Sequence, residues 1–152
     1  MLDSLAHESI VYENARTVAP MTLPAHSSMM TGLYPIRHSA RDNSLNRLPQ
    51  MAETLAERAS ERGFETAAFV AAAVRDPGVG IAQGVEHYDA VDRTEQSERQ
   101  ERVGERPAGD VLARVRTWFD YRSQERPFLA WVHLFDPHLP YLAPAAFRTG
   151  RR

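Results

Sequence analysis

The stretch Pro127-Phe128-Leu129-Ala130-Trp131-Val132-His133-Leu134-Phe135 is a continuous apolar run of strand length that ends in the polar Asp136. It shows no alternation of apolar and polar residues, so both faces of the strand should be covered, as in a parallel sheet. Just upstream, Asp110 to Gln124 places Val111, Val115, Trp118 and Phe119 at helical spacing, which predicts an amphipathic helix. Further upstream, Phe64 to Val74 is a second apolar run, built mostly of small residues and suited to another buried strand. Strand, loop, helix and strand form a βαβ unit, and a crossover of that length implies parallel pairing with helices on the faces. The expected fold is therefore α/β, a parallel or mostly parallel sheet with helices on both faces.

Working outward, Met51 to Arg62 carries a Met51, Leu55, Ala59 stripe and is followed by Gly63, which predicts a helix stopped by glycine. Residues 17–24 are interrupted by Pro20 and Pro24. Pro24 is placed as the first residue of a helix running through Ala25 to about Thr31 and stopped by Gly32. Thr22 then sits just before a helix N-terminus. Leu2, Leu5 and Ala6 have helical spacing, and Ile10 to Asn14 alternates like a short strand or extended segment. Asp92 to Arg106 is the most polar segment and is expected to be an exposed loop. Residues 1–152 are read as one unit.

Composition narrows the function classes. With 43% hydrophobic and 25% charged residues, the chain reads as an ordinary soluble globular domain. A net charge of −2 and a pI near 6.3 give no basis for nucleic-acid or anionic-membrane binding, which require a basic surface. All 18 basic residues are arginine, and there is no cysteine, which excludes disulfides and thiolate metal sites. No apolar run approaches a membrane span, and Met1 to Leu5 lacks the pattern of a signal peptide. The sequence gives no address for the protein.

The chemistry-bearing segment is Thr22-Leu23-Pro24-Ala25-His26-Ser27-Ser28-Met29-Met30-Thr31-Gly32. A hydroxyl at the start of a helix meets unpaired N–H groups and the positive end of the dipole, a combination that favours a sulfate or phosphate group. The plain reading of the same residue is a helix cap. The segment resembles the signature of the sulfatase family, within the alkaline-phosphatase superfamily, at Thr22, Pro24, Ala25, Thr31 and Gly32. The resemblance continues through Leu2-Asp3-Ser4-Leu5-Ala6, Gly32-Leu33-Tyr34-Pro35, Thr54-Leu55-Ala56, Gly63-Phe64-Glu65-Thr66, Gly84-Val85-Glu86-His87-Tyr88-Asp89 and Asp136-Pro137-His138-Leu139-Pro140-Tyr141.

That resemblance implies a hydrolase of sulfate or phosphate esters with Thr22 as a metal-bound nucleophile. It also implies His138 as anion contact or general acid. His26 stands where the family usually has an arginine that contacts the anion. Threonine cannot yield formylglycine, so Thr22 would act as a plain alcohol, similar to the nucleophile of phosphodiesterases and phosphoethanolamine transferases in the same superfamily. One divalent metal ion is implied, calcium for a sulfatase and zinc or manganese for a phosphoesterase. The expected substrates are small-molecule, glycan or lipid esters. The Lys and His that many sulfatases carry after the strand at Gly63 are replaced by Val70-Ala71-Ala72-Ala73.

Against the family pattern the chain reads as truncated at both ends, lacking most of the family's oxygen ligands for the metal, and so as inactive by itself. Asp42, Asp76, Asp89 and Asp136 are expected in turns or caps. His133 is expected to be a satisfied core or supporting histidine, and His7, His38 and His87 receive no role. A non-catalytic anion-binding domain and a purely structural α/β module remain as alternatives.

Overall fold

The structure is a computed structural model that describes residues 2–43, 46–72, 79–91, 105–139 and 141 of the chain. Among the described residues eight elements follow one another: α1 (Leu2–His7), α2 (Thr22–Thr31), α3 (Pro35–His38), α4 (Leu55–Glu61), β1 (Glu65–Val70), β2 (His87–Asp89), α5 (Ala108–Tyr121) and β3 (Phe128–His133). The three strands form one sheet in the order β2-β1-β3. Both pairings are parallel, with Ala67 opposite His87 on one side and Ala130 on the other. The α/β class with a parallel sheet is as expected, and α5 is the crossover that leads into β3.

The middle strand is the most buried, because both of its edges and both of its faces are covered. Ala67, Phe69 and Ala71 pack with Val111 and Trp118 of α5. The alternate residues Thr66, Ala68 and Val70 are also buried and face α4 and α2. On that second side Leu23, Ala40, Leu48, Ala52 and Ile81 form a separate cluster against Trp131. Period-two alternation in β1 thus divides the core between two helical layers. The strand starts are tied by Arg126, whose guanidinium donates to Gly63 O (3.1 Å), Phe64 O (2.8 Å) and the Glu86 carboxylate (2.8 Å).

The predicted helix at 51–62 begins later than its apolar stripe indicated. Thr54 is the N-cap of a capping box: its hydroxyl accepts from Glu57 N–H (3.1 Å), and the Glu57 carboxylate accepts from Thr54 N–H (2.7 Å). Satisfying two otherwise unpaired N–H groups starts the helix at Leu55. Met51 is consequently 90% exposed, and Ala52 and Ala56 supply the buried contacts in its place. Ile10 to Asn14 forms no strand and its apolar side chains are exposed. Of the predicted strand at 64–74, Glu65–Val70 is β-structure and residues 73 and 74 lie outside the described residues.

β2 had no counterpart in the sequence reading, since three residues are too short to show a period. Most of the polar segment at 92–106 lies outside the described residues. Its last residue, Arg106, departs from the expected exposed loop: it is buried and paired with Asp89. Burial is stable there because the guanidinium has both a carboxylate and the Ala90 carbonyl (3.0 Å) to donate to.

Candidate functional site

α2 brings the signature residues to the core. Its N-cap is Met21, in extended conformation with φ −106° and ψ 147° and with no side-chain cap bond, so Thr22 is already the first helical residue. Pro24 falls in the third helical position instead of the first. Proline is tolerated there because first-turn N–H groups have no partner inside the helix. The neighbouring Leu23 N–H is taken by Asn43 Oδ1 at 2.8 Å. Thr22 is thus half-buried at the helix start, with its hydroxyl not serving as the cap. Gly32 ends α2 in the left-handed region (φ 70°), as expected.

One turn along, His26 meets β3. Its ring lies edge-on to His133 at 4.8 Å between centroids and to Trp131 at 5.2 Å. The Nδ1 atoms of His26 and His133 are both buried without a hydrogen-bond partner. Burial, reinforced by the neighbouring His133, holds the His26 pKa down to about 4, and burial lowers that of His133 as well. Both rings are therefore neutral near pH 7, and His26 offers an imidazole where an arginine would offer a fixed positive charge. His133 was expected to be a satisfied core or supporting histidine; its Nδ1 has no partner, and its ring packs against His26, which is the supporting position. Nothing in its apolar surroundings in the sequence distinguished it.

His138 stands beyond the end of β3, in the turn that Asp136 and Pro137 open. It is exposed, stacks on Phe135 at 4.2 Å with 17° between planes, and places Nδ1 3.1 Å from Leu139 O. Phe135 in turn lies 5.6 Å from His133. The structure joins His26, His133, Phe135 and His138 by successive ring contacts along the C-terminal end of β3, the end where open α/β sheets bind ligands.

The expected divalent cation was tested against the oxygen donors. Asp42 accepts from Asn46, Asp89 is held by Arg106 and Arg114, and Asp136 accepts from Ala108 N–H at 3.2 Å, capping the start of α5. Asp76 lies outside the described residues. Among the described residues no group of three or more His, Asp or Glu side chains converges to hold a metal ion. The donor set present does not fit a hard cation, which requires about six or more oxygen ligands including carboxylates. His38 is structural: its Nε2 meets Ser28 Oγ at 2.9 Å and its Nδ1 accepts from Ala40 N–H at 3.2 Å, joining α3 to α2.

The fold of this chain has relatives. A solved structure, determined in complex with its substrate D-glucosamine-2-N,6-O-disulfate, superposes with a TM-score of 0.75 at 16% identity, over 93% of this chain and 30% of that one. A 2-O glycosaminoglycan sulfatase structure gives a TM-score of 0.62 at 21% identity, over 87% and 28%. A curated Δ4,5-hexuronate-2-O-sulfatase of Bacteroides thetaiotaomicron is 27% identical over 94 residues, 59% of this chain and 19% of that protein. The chain therefore spans about a fifth of the length of that curated relative and under a third of these solved chains. No helix among the described residues is long and apolar enough to cross a membrane. The sulfatase family model matches residues 1–152, and with the parallel sheet and the Thr22 helix in place, the chain belongs to the sulfatase family.

Proposed function

We propose that this chain supplies the nucleophile and an anion-facing histidine of an ester hydrolase acting on sulfate esters of glycans, with phosphate esters as the alternative substrate. The observation that carries this reading is Thr22, whose hydroxyl sits at the first turn of α2 and is not used as the helix cap. The oxygen of Thr22 would bond to sulfur or phosphorus, its hydroxyl proton passing to solvent, as the substrate's ester oxygen leaves, and His138 would contact the anion or give the leaving oxygen its proton. Water would then attack the sulfur or phosphorus of the Thr22 ester, releasing sulfate or phosphate and returning the Thr22 hydroxyl. Formylglycine is not involved, because the threonine methyl would give a ketone. The sulfated saccharides named for the relatives make a glycan ester the first substrate to try.

Thr22 is also the only described contribution we assign toward a cation, and the proposal derives no step through one. For the same reason we expect the 152 residues alone to be inert as a catalyst. A second reading is anion binding without turnover, suggested by Ala71 and Ala73 in the segment where many sulfatases carry a Lys and a His; Ala73 lies outside the described residues.

The test joins this chain to a polypeptide of full family length and assays a sulfated glycosaminoglycan disaccharide, an aryl sulfate, and aryl phosphate mono- and diesters. Thr22→Ala should lower turnover by at least about 10³-fold, the scale set by removing a covalent nucleophile. Equal activity in Thr22→Ala would refute the nucleophile, and binding without turnover would establish the second reading.

A further inference from the structure

Where α2 crosses β3, His26 and His133 meet edge to face, with ring centroids 4.8 Å apart and 78° between planes. Edge-to-face packing of aromatic rings accounts for that spacing. It does not account for the two buried Nδ1 atoms, which have no hydrogen-bond partner, since a desolvated polar atom is normally paired with protein, water or an ion. With no acceptor beside Nδ1, the proton of each neutral ring belongs on Nε2. One lone pair is thereby left on each Nδ1.

Two neutral imidazole lone pairs suit a borderline cation such as Zn2+ and are poor donors for calcium or magnesium, which take oxygen. The spacing of the rings fits. Zn2+ sits about 2.0–2.1 Å from an imidazole nitrogen, so two rings sharing one tetrahedral ion have centroids roughly 5 Å apart. Planes inclined at 78° intersect along a line, on which an ion can lie in the plane of both rings. Burial keeps both imidazoles unprotonated near neutral pH, so binding displaces no proton from them. Trp131 walls the pair, 5.2 Å from His26 and 5.9 Å from His133, and an apolar wall lowers the local dielectric. Both histidines are only half-buried, so a cation reaches them from the side on which the rings meet solvent. Water from that side fills the remaining positions of the ion.

We propose that His26 and His133 hold one Zn2+ through their Nδ1 atoms, tying the helix that begins at Thr22 to β3. This ion is not the hard cation considered for Thr22, and the site stands whether or not the chain contributes to an ester hydrolase. Its role is structural. It joins two elements far apart in sequence, and an ion held more tightly by the folded chain than by the unfolded one raises stability.

The test titrates the untagged 152-residue chain, stripped of metal, with Zn2+ alone by calorimetry while following the imidazole nitrogen resonances. One Zn2+ per chain should bind with a Kd of roughly 10–100 µM. The Nδ1 resonances of His26 and His133 should shift, and those of the exposed His7, His87 and His138 should stay in place. Saturating Zn2+ should raise the thermal midpoint, and about 10 mM Ca2+ should not displace it. His26→Gln and His133→Gln should each weaken binding at least about tenfold, whereas His87→Gln should bind as wild type. If either pair variant fails to fold, the resonance shifts of the wild-type chain decide by themselves. The proposal is overturned by no one-to-one saturation up to about 1 mM Zn2+, by shifts at the other histidines instead, by displacement with Ca2+, or by wild-type affinity in a folded His133→Gln.

Discussion

At the scale of single residues, His26 links the site to stability. Its folded pKa, about 4, lies below the ordinary 6.5 because of burial and then His133. The unfolded chain therefore takes up the proton first on acidification. This contribution to stability is complete above about pH 6.5 and is lost as the pH falls from 6.5 to about 4. The loss from His26 is on the order of 1–3 kcal/mol after allowance for its residual solvent contact. The same direction holds for His133 and for His38, where burial again dominates. Urea midpoints measured at several pH values should fall over that window, and His26→Gln should flatten the fall relative to wild type; parallel profiles would contradict the assignment. Gly84 is a second sensitive position, with φ 77° and a Cβ direction that runs into the Glu57 backbone. Gly84→Ala should cost about 3 kcal/mol or more in a denaturant titration, since strain and overlap add. Little of this was legible beforehand. Thr22, His26 and His138 were singled out through their motif neighbours, whereas the contact between His26 and His133 exists only once α2 lies across β3.

Among the elements, α4 shows which sequence signal governs a helix start. The stripe of Met51, Leu55 and Ala59 pointed to an early start, but the Thr54 and Glu57 pair satisfies the first N–H groups and sets the boundary. Thr54 also donates to Gln83 O at 2.9 Å, attaching the cap to the turn before β2. Thr54→Ala should therefore lower stability by about 1–2 kcal/mol, whereas Met51→Ala should change it by less than about 0.5 kcal/mol. Thermal melts of the two variants decide the point, and comparable losses would contradict it. α5 and β3 were readable because long apolar periods survive tertiary packing. β2 was hidden, as its three residues are strand only because Ala67 to Phe69 pair with them.

Across the whole molecule, the α/β class followed from the βαβ order, while the extent of covering did not. β3 is buried along one edge by β1, yet Phe128 is 40% and Val132 36% exposed, unusual for a parallel strand. Ile10, Tyr12, Met29, Tyr34 and Ile36 are also exposed. Such apolar surface promotes association. The chain should bind a hydrophobic dye in its native state and sediment as concentration-dependent oligomers; a monomer with a cooperative melt and no dye binding would contradict this. The clasp made by Arg126 has a further consequence in time. It reaches back 63 residues to Gly63, so β1 must wait for its second edge while that length of chain is made. At ribosomal speeds of 5–20 residues per second the delay is roughly 3–12 s. During that interval the central strand has only three-residue β2 beside it, which makes the nascent chain, more than the finished one, the stage at which a chaperone would find something to hold.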